Sequence, residues 1–156
     1  MLEPGTPAPD FTLHDEDDRP LTLSELRGQP VVLYFYPRAD TPGCTTQACG
    51  IRDRREDYER AGARVLGVSP DKVPAIRRFA DRYGLDFTLL ADPDHEVIER
   101  YGAWVEKTRG GQTRMGVQRS TYVIDAEGTI AHVLPKVSPK THDDEVLAAL
   151  AEVAPA

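Results

Sequence analysis

Two cysteines, Cys44 and Cys49, carry the chemistry most readily read from this chain. Cys44 ends the run Tyr34-Phe35-Tyr36-Pro37-Arg38-Ala39-Asp40-Thr41-Pro42-Gly43-Cys44. An apolar stretch, Val31 to Tyr36, stops at Pro37 and a loop of turn-forming residues follows. The thiol falls where a helix should begin, since Thr45-Thr46-Gln47-Ala48 contains no breaker. At a helix N-terminus a sulfur faces unpaired backbone N–H groups and the positive end of the helix dipole. Both favour the thiolate, which is the nucleophile.

The spacing adds a second expectation. Residues five apart in a continuous helix rise about 7.5 Å and point roughly 140° apart, which leaves their Cα atoms on the order of 8 to 9 Å apart. A disulfide needs less than about 7 Å. Cys44 and Cys49 therefore cannot bond while the helix is intact, and a bond between them requires its first turns to unwind. The bland alternative is two small buried hydrophobes, as free cysteines often are; the flanking Thr-Pro-Gly and the helix-start position weigh against it. A zinc site is not expected, because four ligands in close pairs are missing. Four residues separate the cysteines, so this is not a C-x-x-C redox motif.

The elements that must position these residues alternate along the chain. Phe11–Leu13 and Leu21–Leu23 read as a hairpin, and Ser24–Leu26 as one helical turn. Val31–Tyr36 reads as a strand buried on both faces. A helix is expected from Cys44 to Arg60, then a strand over Arg64–Val68 and a helix over Pro74–Tyr83 ended by Gly84. Thr88–Leu90 is a short strand. Asp92 and Pro93 read as N-cap and first residue of a helix reaching Tyr101. Gly102 to Gln118 is expected to be a surface loop. Ser120–Ile124 and Thr129–Leu134 are strands joined at Asp125–Gly128, and His142–Val153 is a closing helix. This order implies an α/β fold with a central mixed sheet flanked by helices, and puts the Cys44 loop at the carboxyl edge of the sheet.

With 156 residues, 40% apolar and 29% charged, one globular domain over 1–156 is expected. A net charge of −7 argues against a nucleic-acid partner. No signal sequence or membrane span is visible, so no membrane partner is expected and the cytoplasm is the expected compartment. His14, His95, His132 and His142 read as surface or helix-terminal residues without chemistry.

At the Cys44 loop the sequence resembles the peroxiredoxins, whose motif P-x-x-x-T/S-x-x-C is filled by Pro37, Thr41 and Cys44. The continuation Cys44-Thr45-Thr46-Gln47-Ala48-Cys49 resembles the Q-type subgroup, the bacterioferritin comigratory proteins. Gly5–Phe11, Tyr101–Trp104 and Arg119–Asp125 resemble further family segments, so the likeness spans essentially the whole chain. It implies a thioredoxin-like fold with an N-terminal β-hairpin extension. It implies a thiol-dependent peroxidase acting on hydrogen peroxide and organic hydroperoxides, without cofactor or metal. Cys44 would be the peroxidatic cysteine, oxidised to a sulfenic acid. Cys49 would resolve it as a Cys44–Cys49 disulfide, re-reduced by thioredoxin or glutaredoxin. Thr41, Arg119 and the N–H groups of Gly43 and Cys44 would bind the peroxide, and Pro37 would shield the thiolate. The protein would act as a monomer. Many subgroup members have Glu where Gln47 stands, which puts that Glu's hydrogen bonds to nearby arginines in question here. Two rival readings of the same cysteines are a dithiol–disulfide oxidoreductase and a redox sensor whose unwound helix recruits a partner.

Overall fold

Five consecutive buried residues, Val31–Phe35, form the strand around which the protein is built. The structure is a computed structural model and describes residues 1–153. In chain order the elements are β1 (Thr12–Asp15), β2 (Pro20–Thr22), a short 3-10 helix (Leu23–Leu26), β3 (Val31–Phe35), α1 (Pro42–Asp53), α2 (Arg55–Arg60), β4 (Arg64–Ser69), α3 (Val73–Tyr83), β5 (Thr88–Ala91), α4 (Glu96–Arg100), β6 (Trp104–Arg109), β7 (Gln112–Val117), β8 (Ser120–Ile124), β9 (Ile130–Leu134) and α5 (His142–Ala151).

Seven strands make one mixed sheet in the order β2-β1-β5-β4-β3-β8-β9. β3, β4 and β5 run parallel, as crossover helices require, while β8 and β9 add antiparallel on one side and β1 and β2 on the other. Alternation along β3 splits the core in two. Val32, Tyr34 and Tyr36 pack with Cys44, Ala48, Ile51, Tyr58, Phe79 and Val146 under the helices of one face. Val31, Leu33 and Phe35 pack with Phe11, Leu23, Ile98, Tyr101 and Tyr122 on the other. The expected α/β fold with a mixed central sheet and an N-terminal hairpin is thus the observed one.

Three local expectations are corrected. The helix expected over Cys44–Arg60 begins at Pro42 and breaks at Arg54, where φ is −103° and ψ 21°. The break starts a second N-terminus with Glu56 and Asp57 in its first turn, where acids are favoured. The helix expected to start at Pro93 starts at Glu96: the Asp92 carboxylate accepts from the Ile98 N–H at 2.9 Å, spanning a turn that holds His95 at φ 49°. The expected loop over Gly102 to Gln118 contains an antiparallel hairpin, β6–β7, closed by Gly110 and Gly111 at φ 56° and 81°. Both φ angles are positive, as a two-residue turn of this kind demands. Of the two alternatives for His142, surface or helix-terminal, the second holds: it is the first residue of α5, and it is fully buried.

Candidate active site

Cys44 is the third residue of α1, behind Thr41 at the N-cap and Pro42 at the first helical position. The first bond of the helix runs from the Thr45 N–H to the Thr41 carbonyl at 2.8 Å. The N–H groups of Gly43 and Cys44 come before it and have no acceptor within the helix. Cys44 is 2% exposed and packs with Tyr34 and Tyr36, over the carboxyl end of β3.

The loop ahead of α1 is fixed from α3 and the end of β4. Asp71 accepts from the Ala39 N–H at 2.7 Å and from the Ser69 hydroxyl at 2.8 Å. Asp40 adopts φ 62° and accepts from Arg82 and from the Tyr83 hydroxyl, each at 2.8 Å. The Thr41 side chain does not cap the helix. Its hydroxyl donates to the Arg38 carbonyl at 2.8 Å, which commits its proton and leaves its oxygen free to accept.

Arg119 comes from the two-residue link between β7 and β8. One arm of its guanidinium, Nη2, donates to the Cys44 sulfur at 3.4 Å. The other, Nη1, donates to Gln47 Oε1 at 2.6 Å. Gln47 lies one helical turn beyond Cys44, so both face the same way. It is 1% exposed, and its Nε2 has no hydrogen-bond partner among the described residues. Its amide oxygen thus takes the arginine bond that the sequence left in question. Gly43 allows the close approach, since a Cβ there would stand 3.2 Å from Nη2 of Arg119.

Behind the arginine is a buried polar layer that the sequence reading missed. His142 Nε2 pairs with the Thr121 hydroxyl at 2.8 Å, and the imidazole packs against Tyr34 at a centroid distance of 5.6 Å. Burial, with the Arg119 charge adding to it, lowers the His142 pKa to about 4, so the ring is neutral. No local pattern marks this residue, because its burial comes from α5 docking against β8.

Cys49 lies further along α1, half-buried, and both cysteines are free. The helix between them is unbroken, as expected for the reduced chain. Pro37 is half-buried just past β3 and lines a groove with residues of the β6–β7 hairpin. Cys44, Thr41, Gly43 and Arg119 therefore share one site, with Pro37 and Cys49 flanking it. Among the described residues no three His, Cys, Asp or Glu side chains come together as metal ligands would.

A model of the AhpC/TSA family matches residues 4–133. Peroxiredoxin Bcp of Escherichia coli K12 is 47% identical over 146 residues, which is 94% of each chain. The solved structure of Xylella fastidiosa PrxQ superposes with a TM-score of 0.91 at 30% identity, covering 97% of this chain and 96% of that one. A Xanthomonas campestris bacterioferritin comigratory protein, studied for its alkyl peroxide reduction activity, gives 0.86 at 33% identity and covers 90% of each. With a thiol at a helix start and a thioredoxin-like sheet beneath it, the chain belongs to the AhpC/TSA family, in the Bcp/PrxQ group of peroxiredoxins, and is a thiol peroxidase.

Proposed function

We propose that Cys44 is the residue that reduces peroxide and that Cys49 resolves it. The observation that carries this reading is the Arg119 fork, which holds one N–H on the Cys44 sulfur and the other on Gln47. The Cys44 thiolate attacks one peroxide oxygen, the O–O bond breaks, and the departing oxygen leaves as water or an alcohol after taking a proton. Cys44 becomes a sulfenic acid. Arg119 and the free N–H groups of Gly43 and Cys44 face the charge that moves between the oxygens. Thr41 accepts a hydrogen bond from the peroxide, because its own proton is held by Arg38. Pro37 shields the sulfur from water.

The Cys49 thiol then attacks the sulfenic sulfur, forming a disulfide and releasing water. Thioredoxin or a similar dithiol reduces that disulfide and is itself oxidised. A rival reading, direct exchange with protein disulfides, is disfavoured by the burial of Cys44, a residue only 2% exposed, which a small peroxide reaches more easily than another protein does. The protein acts as a monomer, as one domain over 1–156, in the cytoplasm.

The test is peroxide consumption driven by a thioredoxin system, with single-turnover measurements beside it. Cys44→Ser should lose the first turnover. Cys49→Ser should keep the first turnover and lose the later ones. Substantial first-turnover activity in Cys44→Ser would falsify the assignment.

A further inference from the structure

Cys49 has a cation beside it that the peroxide-reducing step does not use. Arg52 follows it by three residues in α1, so the two side chains are neighbours on the helix surface, about 5 to 6 Å apart at Cβ. Long helical side chains lean towards the N-terminus, which lays the Arg52 stem over the turn that carries Cys49. The guanidinium is held on both sides. Nη1 donates to the Tyr83 carbonyl at 2.5 Å, at the carboxyl end of α3, where a cation is favoured. Nε and Nη2 meet the Asp53 carboxylate at 3.1 and 3.0 Å. The Arg52 pKa is raised, first by that bond to Asp53; burial opposes the rise and a Cys49 thiolate adds to it. Asp86, the other carboxylate that acts on this guanidinium, is itself bonded to Arg55 at 2.7 Å.

The anchor of Arg52 lies outside the part of α1 that has to move. Cys49 reaches Cys44 only when the turns ahead of Gly50 unwind, because an intact helix keeps residues five apart about 8 to 9 Å from each other at Cα. Arg52 comes after Gly50 and is tied to α3. The same helix end holds the loop ahead of α1, since Arg82 and the Tyr83 hydroxyl both donate to Asp40 at 2.8 Å. α3 thus supports the chain on either side of the segment that unwinds. Cys49 is the last residue of that segment, so its sulfur swings from a backbone still anchored three residues on, next to a cation that stays in place.

We propose that Arg52 is a positioning residue of the resolving step, whose guanidinium, fixed on the Tyr83 carbonyl, supports the negative charge on the Cys49 sulfur as it attacks the Cys44 sulfenic acid. In that step the Cys49 thiol gives up its proton and its sulfur attacks the sulfenic sulfur. The S–S bond forms, the S–O bond breaks, and the departing hydroxide takes up a proton and leaves as water. A cation beside a sulfur favours the thiolate, which is the attacking form. Asp53 shares the guanidinium and weakens its pull on the sulfur. The inference rests on the reading of Cys49 as the resolving residue and names the group that assists it.

The test follows a single turnover with hydrogen peroxide by rapid quench, scoring Cys44 sulfenic acid by dimedone capture and the disulfide by mass. For each protein the rate of disulfide formation is compared with its own rate of sulfenic acid formation. Arg52→Gln, which keeps a donor for the Tyr83 carbonyl, should slow disulfide formation about fivefold and let the sulfenic acid accumulate. Arg52→Lys should keep most of the wild-type rate, and Asp53→Asn should raise it about twofold, a gain that mere loosening of α1 would not produce. Arg78→Gln, on the exposed side of α3, should change neither step. A wild-type rate of disulfide formation in Arg52→Gln would overturn the proposal. So would a Lys variant as slow as the Gln variant, or an Asp53→Asn variant slower than the wild type. If Cys49→Ser turns over with thioredoxin as the wild type does, the resolving role of Cys49 fails instead, whatever the Arg52 variants show.

Discussion

The Arg119 guanidinium lies 3.4 Å from the Cys44 sulfur through Nη2, although 75 residues separate them in the chain. Two features create the contact: a helix N-terminus without a Cβ at Gly43, and a Gln47 oxygen that fixes the other arm of the guanidinium. Removing one such donor typically costs about 2.7 to 4 kcal/mol of barrier. Arg119→Ala should therefore slow the second-order reaction with hydrogen peroxide by about a hundredfold or more. Arg119→Lys should not restore it, because a single ammonium cannot reproduce the planar fork that reaches Gln47 and Cys44 together. Stopped-flow rates with thermal melts check this, and a near-wild-type rate in Arg119→Lys would remove the argument from geometry.

Thr41 should matter through its oxygen rather than through its helix-capping ability. Its hydroxyl donates to the Arg38 carbonyl and makes no cap bond. Thr41→Ser should retain most of the peroxide rate, while Thr41→Val, similar in shape, should lose at least about tenfold, a loss on the order of 1.4 kcal/mol. Equal rates in Ser and Val variants would show that only the shape of the residue counts.

His142 should make the protein less stable as pH falls. Its folded pKa is lowered from 6.5 to about 4, so between those values the unfolded chain binds a proton that the folded one does not. Stability is then complete above the unfolded value and declines as pH drops from there towards 4, by on the order of 3 kcal/mol at most. Asp92, Asp143 and Glu16 act with the opposite sign, since burial raises their pKa values. The measurement is therefore a difference: urea unfolding from pH 4 to 7 for the wild type against His142→Asn. The wild type should lose more stability over that range, and identical pH profiles would refute the claim.

Oxidation should unwind α1 only up to Gly50. The reduced helix is continuous past Cys49, and its residues five apart are too distant to bond, at about 8 to 9 Å between Cα atoms. Beyond Cys49 the helix is held from α5. A Cβ on Gly50 would stand 2.6 Å from Asp143 Oδ2, Tyr58 donates to the same carboxylate at 2.5 Å, and Arg54 reaches Asp144 at 2.7 Å. Hydrogen exchange should show protection lost over residues 42–49 in the disulfide form and kept from 51 onward. Equal protection in both redox states would mean that the cysteines meet another way. Gly50→Ala should destabilise the reduced fold by about 1 to 3 kcal/mol, because Asp143 has to move.

Much of this protein could be read locally. The apolar run Val31–Phe35, the breaker-free stretch after Cys44 and the positions of Pro37 and Thr41 were sufficient to place a reactive thiol at a helix start above a buried strand. These features depend on residues close together in the chain, where propensity and periodicity act. The five-residue spacing also fixed in advance that a Cys44–Cys49 bond is incompatible with the intact helix. The hairpin over 104–117 was missed because its strands are charged and mostly exposed, so no apolar alternation marks them, although Gly110-Gly111 was a turn signal.

Tertiary structure decided what depends on distant residues meeting. The Arg119 contact with Cys44 requires β8 to pair with β3, and Gln47 completes the fork only because α1 packs over that edge. His142 becomes a buried neutral base because α5 docks on Thr121 and Tyr34, and its own sequence neighbours, Asp143 and Asp144, would suggest an exposed helix start. Local sequence determines which residues can react; desolvation and charge placement, which decide how they react, depend on neighbours that only the folded chain brings within reach.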